Sequence, residues 1–316
     1  MSKRRLTSKT RRLIRRLAFV VVAVMAGIIA IPVSAELAFR LASGLIKTSL
    51  YQKTERQLSA PRSVLCLGDS FTQGVGAAEG YDWPSQLSVL IDRLSGPGEW
   101  DVVNWGRAGG NSVQAREFGE RFFANHPERV RLVIFASGNN NVYNFQGAPM
   151  LPPELAEGSR ALAADYLLRN VRVYHFGRRS VELLTQVKQL EDAGKAEPTQ
   201  ALLSVEEAAE RDFLARWIQR DITLLRRQLR EHNVKIALLN YWFGCPWVDQ
   251  AYAALPPGDD LILIDVTRFG LDLPLELLTK RFSNGEDRHP NKYGYARMAE
   301  IVFAELRRAG WLAIDG

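Results

Sequence analysis

Four short polar patches hold most of the side chains in this sequence that could do chemistry together. They are Gly68-Asp69-Ser70, Asn104-Trp105-Gly106-Arg107-Ala108-Gly109, Gly138-Asn139-Asn140-Asn141 and, near the C-terminus, Glu286-Asp287-Arg288-His289-Pro290-Asn291. A serine hydroxyl is a weak nucleophile at neutral pH and needs an adjacent base. Imidazole titrates near pH ~6.5, so His289 can take the Ser70 proton. A carboxylate on the other ring nitrogen would fix the tautomer and stabilise the imidazolium. Attack on an ester puts negative charge on the carbonyl oxygen, and each donor aimed there is worth about 3–4 kcal/mol. Taken singly, these residues have plainer readings: Ser70 as a helix cap, His289 as a surface turn residue, the asparagines as turn formers. No GxSxG elbow occurs, which tells against the α/β-hydrolase arrangement.

Other chemistries find little support. Two cysteines, Cys66 and Cys245, are too few for a disulfide framework or a thiolate metal site, and the four histidines form no HExxH. No metal and no cofactor are expected. Gly74, Gly76 and Gly80 miss the dinucleotide fingerprint and precede no Lys-Ser/Thr, so they read as loop glycines. His126, His175 and His232 are expected on helix surfaces or at helix ends, with His175 the one that an insertion could carry over the site.

The patches need elements to hold them, and an alternating pattern supplies these. Val64 to Leu67, Asp101 to Trp105, Val130 to Ala136, Lys235 to Trp242 and Leu261 to Val266 read as short apolar strands. Tyr81 to Leu94, Ser112 to Ala124 and a last helix beginning near Asn291 carry apolar residues at helical spacing. Strands alternating with helices predict a parallel sheet covered on both faces, with ligands bound beyond the strands' carboxyl ends. The first three patches follow strands one to three. About 95 residues separate strands three and four, more than one crossover requires. Ser204 and Glu207 fit a capping box for a helix running through about Glu231, and Arg160 to Leu190 reads as helical. Residues 146–232 are therefore expected to form a helical insertion that roofs the site, a plain extended crossover being the other reading.

Together the patches resemble the SGNH (GDSL) hydrolase family. CLGDSFTQG is similar to its first block, NWGRAGG to its second, SGNNN to its third and EDRHPN to its fifth, in family order over roughly Ser63 to Leu306. The resemblance implies a three-layer αβα fold with a five-stranded parallel sheet in the flavodoxin-like order 2-1-3-4-5. It implies Ser70 as nucleophile and His289 as base. The oxyanion hole would comprise the backbone N–H groups of Ser70 and Gly109 and the side-chain amide of Asn140, with Asp69 and Asn104 in support. Glycine at 109 would let the backbone approach the oxyanion with no Cβ in the way. Family spacing usually puts the acid three residues before the histidine, which is Glu286. Asp287, two before, has the shorter side chain usual in triads and is preferred, with Glu286 as the alternative. Asn141 stands where the family usually has aspartate, a difference expected to bear on loop geometry more than on chemistry. In this order strand three separates Cys66 from Cys245 by about 10 Å at ~4.8 Å per strand, so no disulfide is expected.

The N-terminus sets the compartment. Residues 1–16 hold eight basic side chains and no acid, and the other 300 residues carry 33 basic against 35 acidic, so the pI of 9.4 describes a tail. A nucleic-acid partner is therefore not expected. Leu17 to Ala35 is an uncharged run of 19 residues, close to the length that spans a hydrocarbon core of roughly 30 Å. It is read as a signal-anchor with its basic end in the cytoplasm. A signal peptide cleaved after Val33-Ser34-Ala35, giving a secreted form, is the rival reading. The expected organisation is a basic cytoplasmic tail (1–16), a transmembrane segment (17–35), a juxtamembrane helix and linker (36–61), and a hydrolase domain (62–316) in the periplasm or outside. The expected activity is a serine esterase removing acyl groups from an exported or envelope substrate, such as an acylated polysaccharide or lipid. Alternatives are an O-acyltransferase using the same site and a non-catalytic envelope scaffold.

Overall fold

Strand β1, Arg62–Gly68, buries every residue after the first, as a strand covered on both faces must. The sheet extends from it on both sides. β1 pairs in parallel with β2 (Trp100–Gly106) on one side and β3 (Val130–Ala136) on the other. β4 (Lys235–Leu239) and β5 (Leu261–Ile264) extend it past β3, giving the expected order β2-β1-β3-β4-β5. These are features of the computed structural model, which describes residues 58–144, 147–148, 205–284 and 288–312, and a short helical stretch at 30, 33–38 and 41. The chain divides into two compact units, Met1–Arg56 with Val171–Glu197 and Gln57–Asn170 with Pro198–Gly316; the second holds the sheet.

β4 and β5 stop two or three residues short of the expected apolar runs because Asn240 replaces the ladder. Its Oδ1 accepts from Val266 N at 2.8 Å, and its Nδ2 donates to Asp265 Oδ1 at 2.9 Å. The connecting helices are α1 (Ser70–Gln73), α2 (Trp83–Ser95), α3 (Ser112–Asn125), α4 (Val205–Arg230), α5 (Pro246–Ala253), α6 (Leu275–Phe282) and α7 (Lys292–Arg308). α2 packs with α7, while α3 packs with α4 and α4 with α5. That grouping is what right-handed crossovers on the two faces of such a sheet require.

Local chemistry fixes the helix starts. Asp82 accepts from Ser85 N and Pro84 sits in the first turn, so α2 begins two residues later than its apolar pattern. Asn111 and Gln114 form a full capping box on α3, and Asn291 accepts from Tyr293 N and Gly294 N at the start of α7.

Helix α4 corrects the expected extent of the insertion. Phe213, Leu214, Trp217, Ile218, Ile222, Leu225 and Leu229 form a stripe along it, each at most 3% exposed. Burying such a side chain contributes about 1.5–3 kcal/mol, so this face belongs to the core. At its C-terminal end Arg226 and Arg230 both bind Asp260, just before β5. Residues 205–230 are therefore the β3–β4 crossover helix itself and no part of a roof. The remainder of 146–232 up to that helix, with His175 and Ser204, lies outside the described residues apart from 147 and 148. Residues 17–35 lie almost entirely outside them too; among the described residues no helix is long and apolar enough to cross a membrane.

Candidate active site

Every described member of the predicted site lies at the carboxyl edge of the sheet. β1 ends at Gly68, and the chain turns at once through Asp69 into α1, whose first residue is Ser70. Close packing explains the glycines here. A Cβ on Gly106, the last residue of β2, would lie 1.9 Å from Gln73 N, so α1 can cross the end of β2 only over a glycine. Ser70 is 8% exposed, and its Oγ lies 2.8 Å from His289 Nε2, across 219 positions of sequence. Phe71 stacks on the imidazole with ring centroids 4.7 Å apart, holding it over the hydroxyl.

The histidine reaches the serine because its loop is pinned at both ends. Asn284 N donates to His289 O at 2.9 Å, and Ser283 pairs with Pro290 as an isolated bridge. Asn284 Nδ2 donates to Gly76 O at 2.7 Å, and Tyr295 Oη donates to Val75 O at 2.8 Å, which fastens the loop to the segment following α1. Trp242 Nε1 donates to the carbonyl of Arg288, which sits in the left-handed region at φ 57°. Glu286 and Asp287, the two candidate acids, lie outside the described residues.

The second and third patches form one interlocked pair of loops. Asn140 Nδ2 donates to Gly110 O at 3.2 Å and lies 3.5 Å from Asp69 Oδ2. Gly109 has φ 70° and is exposed, with its carbonyl accepting from Asn144 Nδ2 at 2.9 Å. A Cβ at 109 would meet no protein atom, so within the fold the glycine serves the left-handed turn. Gln73 Oε1 accepts from Ala108 N at 2.6 Å, tying this turn to the serine's own helix. Asn104 stands further back. It accepts from Gly106 N at 2.9 Å and donates to Asp82 Oδ1 at 3.0 Å, bracing the end of β2 against the start of α2.

Asp69 is fully buried and accepts from Phe71 N at 3.0 Å, which starts α1 and orients Ser70. Burial pushes its carboxyl up to about 7, although bonds from Tyr241 and Phe71 N pull the other way. The Tyr241 hydroxyl donates to Asp69 Oδ2 at 2.5 Å and accepts from Asn139 N at 3.2 Å, so one phenol joins the serine loop to the asparagine loop. Burial and the neighbouring Asp69 charge hold that phenol well above its usual range, so it stays a donor. Sequence reasoning missed Tyr241, Gln73 and Asn144. Only Tyr241 carried a signal, a hydroxyl at the carboxyl end of a predicted strand. Cys66 and Cys245 are both free and buried, with burial raising both thiols. Cys245 Sγ lies 3.6 Å from Asn139 Oδ1.

A parallel sheet in the order 2-1-3-4-5 with a serine–imidazole pair at its carboxyl edge matches the SGNH hydrolases. Residues 66–297 match the GDSL-like lipase/acylhydrolase family, more than half of the chain, and the chain belongs to that family; it is a carboxylic ester hydrolase. Among solved structures it is similar to a lipase from a goat rumen metagenome, at 15% identity over 79% of this chain and 98% of that one, with a TM-score of 0.47. It is similar also to a structure titled TesA, at 16% identity over 78% and 99% of the two chains, TM-score 0.45. A third is a catalytic mutant of an acetylxylan esterase from Geobacillus stearothermophilus, at 14% identity over 82% and 99%, TM-score 0.41. No curated protein matches the chain.

Proposed function

We propose that this chain hydrolyses acyl esters through a Ser70 acyl-enzyme. The observation that carries the reading is the 2.8 Å contact between Ser70 Oγ and His289 Nε2. At that distance the imidazole can take the hydroxyl proton as the oxygen attacks, then return it to the departing alcohol. The tetrahedral oxyanion is held by the N–H groups of Ser70 and Gly109 and by Asn140, each placed by a loop that other side chains clamp. Asp287 supplies the carboxylate behind the imidazole, with Glu286 as the alternative. Water then releases the acyl group. The substrate is an exported or envelope-borne acyl ester, an acylated polysaccharide or lipid, because a basic run followed by 19 uncharged residues reads as a signal-anchor that exports the domain.

Hydrolysis of p-nitrophenyl acetate tests the chemistry. The wild-type chain is expected to release p-nitrophenol, and Ser70→Ala and His289→Asn to lose at least about 10³-fold in kcat/KM, since residues acting as a unit fail together. Loss in Asp287→Asn with activity kept in Glu286→Gln assigns the acid, and the reverse pattern assigns the other. A folded wild-type chain inert on esters of every acyl length would favour the scaffold reading.

A further inference from the structure

Ser112 at the start of α3, Asn141 on the 3₁₀ turn Asn139–Val142 and Asp221 in the middle of α4 are all fully buried and in contact. The Ser112 hydroxyl donates its one proton to Asp221 Oδ2 at 2.6 Å. Its oxygen then accepts from Asn141 Nδ2 at 2.8 Å, while Asn141 Oδ1 accepts from Ser112 N at 2.9 Å. The two bonds of the Ser112 hydroxyl therefore run in one direction, from Asn141 to Ser112 to Asp221, and position 141 must donate to that hydroxyl. An aspartate at 141 would face the same serine oxygen with no proton between them, setting two buried carboxylates against one hydroxyl. Asparagine at 141, where the chain departs from the aspartate usual in its family, is thus matched to a carboxylate brought in by the crossover helix. Arg116 Nε lies 3.3 Å from Asp221 Oδ1, and its Nη1 binds both oxygens of Glu120.

We propose that Asp221 is a positioning residue for Asn140: through Ser112 and Asn141 it anchors the turn that carries the oxyanion donor. The proposal rests on the reading that Asn140 stabilises the oxyanion. The turn is held on one side by this relay. On the other it is held by the bonds from Asn140 to Gly110 O, from Asn144 to Gly109 O and from Asn111 to Asn144 O. Without the relay the turn keeps those amide links, the Asn139 N bond to Tyr241 Oη and the Trp247 Nε1 bond to Gly138 O, none of which touches the Asn141 side chain, and the donor drifts from the place where charge develops. Burial raises the Asp221 carboxyl above its ordinary range, against the pull of Ser112 and of Arg116.

A four-chain cycle on p-nitrophenyl acetate tests this: wild type, Asn141→Asp, Asp221→Asn and the double exchange. Each single variant is expected to lose about 10- to 100-fold in kcat with KM within about twofold, less than deleting an oxyanion donor outright costs. The double exchange reverses both bonds of the Ser112 hydroxyl, leaves the Ser112 N–H donating to residue 141, and is expected to return kcat to within about threefold of wild type, by the logic of a coupled pair. Urea unfolding of the same four chains reads the coupling without turnover: both singles should unfold earlier, and the double should recover. Singles with wild-type kcat, or a double no better than its worse single, overturn the proposal. Failure of the underlying reading looks different, since the wild-type chain would then be inert and the positioning role would fall with it.

Discussion

Ser70 and His289 meet because Phe71 stacks on the imidazole and Asn284, Tyr295 and Trp242 pin the loop that carries it. The same crowding makes Asp69 the unusual group of the site. Its carboxyl is moved from 3.8 to about 7 by burial, so between those values the native state holds a proton that the unfolded chain releases. Folding stability from this group is therefore present at low pH and is lost as pH rises through that window. Asp69→Asn removes the effect. The variant should gain stability relative to wild type between pH 4 and 8 in urea midpoints, and a constant difference would contradict the assignment. Tyr241→Phe leaves Asp69 Oδ2 and Asn139 N short of a partner at a buried position, a loss of about 1–3 kcal/mol. Denaturant unfolding should show that loss together with a lower kcat; a fully stable variant would mean that the phenol joins nothing. Ser70, Asn140 and Gly109 were legible because each stands in a polar patch just after an apolar run, and His289 because it stands in one just before the last helix. Tyr241 was not, since a tyrosine beside Trp242 and Phe243 reads as packing. Asp221 was hidden similarly, one acid among Arg216, Arg220, Arg226 and Arg227 on the same predicted helix.

Elements place these residues more strictly than their own side chains do. The order β2-β1-β3-β4-β5 brings the ends of β1, β2 and β3 side by side, and the three predicted patches with them. Strand alternation predicts the parallel sheet, and the family resemblance implies its order. The role of α4 does not, because its apolar stripe fits a roof helix and a crossover helix equally well; only its burial against the sheet decides. Leu225→Ala, at a fully buried position on that stripe, should therefore cost about 2–5 kcal/mol in unfolding free energy. A loss below 1 kcal/mol would return the helix to the periphery. The histidine loop depends on one amide in a similar way. Asn284→Ala removes the bonds to Gly76 O and Pro290 O. It should lower kcat about 10-fold or more, as misplacement of a catalytic group does, while the urea midpoint moves little.

At the scale of the whole molecule, the charge sits at one end. Eight cations precede an uncharged run, and a nearly neutral body follows. We read this as export with the N-terminus retained inside, so alkaline phosphatase fused after Gly316 should be active in a bacterial host; an inactive but stable fusion would contradict that reading. Where the domain resides does not alter its chemistry, and the most direct test of that chemistry needs neither a substrate nor a location. A fluorophosphonate probe reacts with a serine only when a base has activated it. Applied to the intact chain and followed by peptide mass spectrometry, it should place its adduct on Ser70, with none in Ser70→Ala and labelling slowed by about 10²-fold or more in His289→Asn. A folded wild-type chain that leaves Ser70 unmodified, or that labels equally fast without the imidazole, would contradict the account.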